Sequence, residues 1–195
     1  MHKKSILALA LIMAPLLAQA TVTQGQLTFT WQATVPAAGV ASSAWKFTDA
    51  TGGDYVPRPA TLRATINEDK SLNLVTQTPA TFEIRSASAG NLNTIAAYLA
   101  SAPSSAGIVK PLTLKTTLGA PGNDEVIVTL NNQALKSGSN NAVTIQSTVN
   151  NTAASMSLAL YAKVAQNNYT PGSSISISTP IVFSVDVANS GGAGA

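Results

Sequence analysis

The sequence predicts an all-β chain built as an antiparallel β-sandwich, and three observations carry that reading. Apolar residues recur at every second position in short patches along the chain, which is the period of a strand with one buried face. Clusters of Gly, Pro, Asn, Asp and Ser separate the patches at hairpin-like intervals. The chain has no cysteine, so its core and its sheet hydrogen bonds must hold it without a disulfide.

The first patch is the most regular. Leu27, Phe29, Trp31, Ala33 and Val35 alternate with Gln26, Thr28, Thr30, Gln32 and Thr34, so Gln26 to Val35 reads as a half-buried strand. It lies a few residues behind an export signal. His2, Lys3 and Lys4 form a basic end, Ile6 to Leu17 an apolar run too short to span a bilayer, and Ala18-Gln19-Ala20 a small-x-small cleavage site. A strand this close to the mature N-terminus can be built into its own sheet or added to the sheet of another molecule.

Further patches follow in order. They are Leu62-Ala64-Ile66, Leu72-Leu74, Phe82-Ile84, Leu112-Leu114, Val126-Val128-Leu130, Val143-Ile145, Met156 to Val164, Ile175-Ile177, and Ile181-Phe183-Val185-Val187. The turns between them include Gly52-Gly53-Asp54, Asn67 to Lys70, Pro121 to Asp124, Ser137 to Asn140 and Asn167 to Gly172. Many short strands at this spacing fit a sandwich. One segment departs from period two. Leu92, Ile95, Ala96 and Leu99 recur at helical spacing behind Gly90-Asn91, and Pro103 closes the run, which predicts one short helix near 92–101. The tail Asn189 to Ala195 carries no apolar pattern and is expected to be disordered.

Composition excludes several kinds of chemistry. The single histidine, His2, lies in the export signal. The mature chain therefore lacks the means for Ser-His-Asp or Cys-His catalysis and for the usual zinc sites. Eleven Lys and Arg fall to nine once Lys3 and Lys4 leave, against eight Asp and Glu. These basic residues are scattered rather than clustered, so no nucleic-acid partner is expected. Ser43 and Lys46 match S-x-x-K, but the companion S-D-N and K-T-G motifs are missing. The acid pairs Glu68-Asp69 and Asp124-Glu125 sit beside turn residues, where acids are common and solvated. Asn150-Asn151-Thr152 and Asn168-Tyr169-Thr170 fit the glycosylation pattern, as Asn/Thr-rich chains often do by chance. Trp45 and Tyr55 could stack on a sugar, though a sandwich core also wants a buried tryptophan. The expectation is a protein that is not an enzyme, needs no cofactor or metal, and works through strands and surfaces.

Three stretches together carry a resemblance: GQLTFTWQATVPAAGVASSAWKF (25–47), LNNQALKSGS (130–139) and STPIVFSVDV (178–187). They are similar to the major fimbrial subunits of the coli surface antigen five type, found in enterotoxigenic enterobacteria. The resemblance implies a chaperone–usher pilin with an immunoglobulin-like domain whose sheet is incomplete. A periplasmic chaperone fills the groove first, and the N-terminal extension of the next subunit then replaces it, a donor strand delivered at an outer-membrane usher. On that reading, residues 1–20 are the signal peptide, 21–35 the donor extension, 36–188 the pilin domain and 189–195 a flexible tail.

Leu27, Phe29, Trp31, Ala33 and Val35 would be the donated face. Ile181, Phe183, Val185 and Val187 would be the strand bordering the groove. A ten-residue donor is about 34 Å long at ~3.4 Å per residue. Its four large inward side chains would contribute roughly 6–12 kcal/mol before ordering costs. Expected partners are other copies of the chain, the chaperone, the usher, a minor or tip fimbrial subunit and the host-cell surface, with the fimbrium exported through the periplasm to the cell surface. The alternative is a fimbrial adhesin subunit that binds host-surface carbohydrate. Many pilins carry a disulfide and a penultimate tyrosine; this chain has neither, and its tail runs on past Val187.

Overall fold

The computed structural model describes residues 22–30, 44–87 and 90–188, with the backbone alone at 22–30 and 147–150. Those residues form thirteen strands and two short 3-10 turns in two sheets packed face to face, the all-β sandwich that the period-two patches predict. One sheet runs β1 (Val22–Thr30), β13 (Ser176–Val187), β6 (Leu92–Leu99) and β11 (Val143–Asn151), with β7 (Ser104–Ala106) also against β13. In the other, β12 (Ala153–Val164) is central. It pairs with β9 (Glu125–Leu130) on one side, and with β5 (Ala80–Ser86) and then β4 (Leu72–Thr76) on the other. Beyond these lie β2 (Trp45–Thr48), β3 (Leu62–Ile66), β8 (Thr113–Leu114) and β10 (Gln133–Ala134).

The core lies between the sheets and follows the alternation residue by residue. Ala154, Met156, Leu158, Leu160, Ala162 and Val164 of β12 are buried, and so are Ile177, Ile181, Phe183, Val185 and Val187 of β13. Phe183 is the bridge between the layers. Its ring meets Phe47 at 5.3 Å and Phe82 at 5.7 Å, both edge to face, and Phe47 in turn meets Trp45 at 5.0 Å. Edge-to-face pairs at these separations add to the area that the rings bury. Trp45 is fully buried, so it is the sandwich's core tryptophan and is out of reach of a sugar.

Turn chemistry fixes the hairpins. Asn131 and Asn132 both take positive φ, 46° and 61°, as a two-residue type I′ turn requires. Asn131 then secures the hairpin through its side chain, donating to Ser155 O and accepting from Ser157 N at 2.7 Å. Gly107 has φ 78°, and a Cβ there would lie 1.9 Å from Ser174 O. Only glycine lets β7 end so close to the entry of β13.

The expected helix near 92–101 is wrong: Leu92–Leu99 is the strand β6. The reason is a bulge. Against β13, Ile95 pairs with Val185 and Thr94 with Asp186, but Leu92, not Asn93, pairs with Val187. One extra residue at Asn93 shifts the pleat, so the buried positions become Leu92, Ile95, Ala97 and Leu99. An inserted residue turns a spacing of two into a spacing of three, and Ile95 and Leu99 lie four apart in any strand. Together they imitate a helical stripe. Gly90, read as part of a helix start, instead sits where a Cβ would lie 2.3 Å from Ala188 O.

Candidate functional site

The site grows from β13 and its inward face, Ile181, Phe183, Val185 and Val187. Ile181, Phe183 and Val185 are fully buried and Val187 nearly so, all within the hydrophobic core. One margin of β13 is taken by β6, antiparallel from Ile181↔Leu99 to Val187↔Leu92. The other margin is taken by β1, the N-terminal strand, also antiparallel and without a register shift from Val22↔Asp186 to Thr30↔Ser178.

The register decides which positions share a face, because directly opposed residues of an antiparallel pair lie on the same side of the sheet. Leu27 is opposite Ile181, and Phe29 is opposite Thr179, both partners fully buried. Gly25 is opposite Phe183, and Thr23 opposite Val185. The paired strand therefore begins four residues before the Gln26 expected from sequence. Thr23 and Gly25 occupy the positions where large apolar residues would have continued the signal. Trp31, Ala33 and Val35 lie outside the described residues.

Beyond the pair Thr30↔Ser178 lie Ile177 and Ile175, and among the described residues the β1 side of β13 has no partner there. A groove of about 360 Å³ is lined by Leu62, Ala64, Ile66, Tyr169, Pro171 and Ile175, among others. β3 supplies its floor. Ala64 and Ile66 are opposite Leu74 and Leu72 of β4, both buried, so they belong to the inward face. Yet Ile66 is 58% exposed, an inward-facing apolar residue that no described residue covers.

The other polar candidates resolve into structural roles. Lys46 lies in β2 and pairs with Asp54 at 3.2 Å, an exposed ion pair of small value; Ser43 is outside the described residues. Asp69 accepts from the Ser71 hydroxyl and backbone N–H and from Lys163 at 3.1 Å. The Ser71 hydroxyl contributes most to holding its carboxyl down to about 2. Asp124 accepts from Ala165 N at 2.8 Å and from Asn168 Nδ2 at 2.9 Å, tying the β8–β9 loop to the approach to β13. Asn168 is itself buried and bonded to both main-chain groups of Lys110, so its sequon encodes a loop clamp. Among the described residues no three potential metal-ligating side chains converge.

Comparison with models of known protein families gives no match, and no solved structure matches the chain. One relative is a CS5 fimbrial subunit of Escherichia coli, 34% identical over an alignment of 198 positions. The alignment covers 94% of this chain and 96% of the relative. An all-β sandwich and this extent of identity together place the chain in the CS5 fimbrial subunit family.

Proposed function

We propose that the chain is the major structural subunit of an adhesive fimbria and that it polymerises by exchanging its N-terminal strand. The observation that carries this reading is the β13 margin. The first of the described strands covers the edge of a strand whose inward face holds the centre of the core. An edge so placed is a template for pairing with another chain. In the fibre, the same antiparallel place beside β13 would be taken by residues 22–35 of the next copy.

Continued in register, Trp31 and Ala33 would fall opposite Ile177 and Ile175. There the groove beside β3 offers apolar lining for Trp31, Ala33 and Val35, while Leu27 and Phe29 would occupy the positions beside Ile181 and Thr179. Before assembly a periplasmic chaperone would supply the missing strand and deliver the subunit to an outer-membrane usher. A tip or minor subunit would cap the polymer, and the host-cell surface would be its target. The division into signal 1–20, donor extension 21–35, pilin domain 36–188 and tail 189–195 belongs to the same proposal.

A second reading has a specific observation in its favour: β1 pairs with β13 of its own chain, as a self-complemented monomer would. Native gel electrophoresis of the exported protein separates the two. The polymer reading expects ladders that survive detergent at room temperature and collapse on boiling, and a subunit that fails to enter them when no chaperone is present. A soluble, cooperatively melting, full-length monomer that forms no ladder even in cells carrying the chaperone would establish self-complementation instead.

A further inference from the structure

On the outer face of the second sheet, remote from β13, lies a groove of about 770 Å³, a size typical of small-ligand sites. Its floor is a cross-strand row: Tyr161 of β12 is opposite Val75 of β4 on one side and Ile127 of β9 on the other. The loop before β9, Leu118 to Pro121, forms a wall. Tyr161 and Leu118 are the exposed apolar groups, at 38% and 60%. Carboxamides stand around them. Asn73 Nδ2 donates to Asn67 Oδ1 at 2.9 Å, and Asn67 Nδ2 donates to Ser71 Oγ at 2.8 Å. This chain fixes both amides and leaves Asn73 Oδ1 with no donor among the described residues. Asn132 adds a third amide from the type I′ turn. The one charge in the lining is Lys163, and Asp69 neutralises it at 3.1 Å.

We propose that this groove binds a neutral saccharide. An exposed phenol ring beside Leu118 accepts the C–H face of a sugar ring, and fixed carboxamides meet its hydroxyls. Because the only cation is already paired, nothing in the lining selects a phosphate, sulfate or carboxylate. Trp45 is buried in the core and Tyr55 packs against Phe82 at 5.1 Å, whereas Tyr161 faces the groove.

Saturation-transfer difference NMR on the full-length protein, which suits large assemblies, tests this with lactose, maltose and N,N′-diacetylchitobiose at millimolar concentration, and 3′-sialyllactose as the charged counterpart. At least one neutral disaccharide should give ring C–H signals, with affinity about tenfold weaker in Tyr161→Ala and retained in Tyr161→Phe. Leu118→Asp, on an exposed loop, gives the same loss and keeps the test open if Tyr161→Ala fails to fold. Absence of signal from every neutral sugar, signal from the sialylated one alone, or unchanged binding in Leu118→Asp would overturn the proposal. Impaired assembly of Leu118→Asp without sugar binding would assign the groove to contact between copies instead.

Discussion

β12 and β13 are both twelve-residue strands with buried inward faces, yet their neighbours differ. β12 is held on one side by β9 and on the other by β5 and β4, all from the interior of the chain. β13 is held by β6 on one side and by the N-terminal strand on the other. The second sheet is held by strands from the interior alone, whereas one margin of β13 relies on the first of the described strands. The comparison teaches that burial in a folded state does not say which molecule supplies the cover.

The largest expected effect is a deletion that acts on one of these strands only. Removing residues 21–34 should leave the β12 sheet intact but uncover β13. The shortened chain should then be recovered only in complex with a chaperone and should fail to extend a fibre. A synthetic peptide of residues 22–35 should restore a cooperative melt, and Phe29→Asp or Trp31→Asp in the peptide should remove that rescue while Thr28→Ala does not. A shortened chain that still polymerises would break the comparison.

Charge placed in the two strands comes next. Phe183→Asp in β13 and Leu160→Asp in β12 each bury an unpaired carboxylate at a cost of several kcal/mol, and neither variant should accumulate. Ser184→Asp, on the opposite face of the pleat, should accumulate normally on an immunoblot of periplasmic extract.

Truncation sharpens the contrast further. Leu160→Ala and Ile181→Ala should each lose about 2–5 kcal/mol in urea unfolding of the peptide-complemented protein. Only Ile181→Ala should also weaken peptide binding, because Ile181 lies opposite Leu27.

The smallest effect concerns Asp69, in the turn between β3 and β4. Hydrogen bonds from Ser71 and the Lys163 ammonium hold its carboxyl down to about 2. Its folded value is lowered, so its contribution is complete above the ordinary carboxylate range and is lost as pH falls through about 2. Asp69→Asn should therefore melt slightly below the wild type at pH 5, with the difference disappearing near pH 1.5.

How much of this was legible depended on whether a strand kept its period. β12 and β13 alternate along most of their length, so their inward residues could be named from sequence, although Ala159 and Val182 are buried as well. β6 could not be recognised, because the bulge at Asn93 rewrites its spacing as helical. The start of β1 was hidden for a different reason: Gly25 opposite Phe183 and Thr23 opposite Val185 are small or polar where the alternation should be apolar. Asn131 and Asn132 lie in one of the stretches that carry the family resemblance, but their positive φ and the Asn131 clamp emerge only from the hairpin's geometry. The Tyr161 groove left no trace in the sequence, since three separate strands and a loop build it.

The fourteen residues between β1 and β2 have a kinetic consequence. A tether that short holds a chain's own N-terminal strand near its own β13 at an effective concentration on the order of millimolar. A free neighbour at micromolar concentration would lose that contest at equilibrium. On the proposed exchange, fibre growth would therefore require that the self-paired state be avoided before the neighbour arrives, by keeping the place beside β13 occupied from the moment of folding. On that proposal the length of one connection would make the order of events, and not affinity alone, decide between a closed monomer and a polymer.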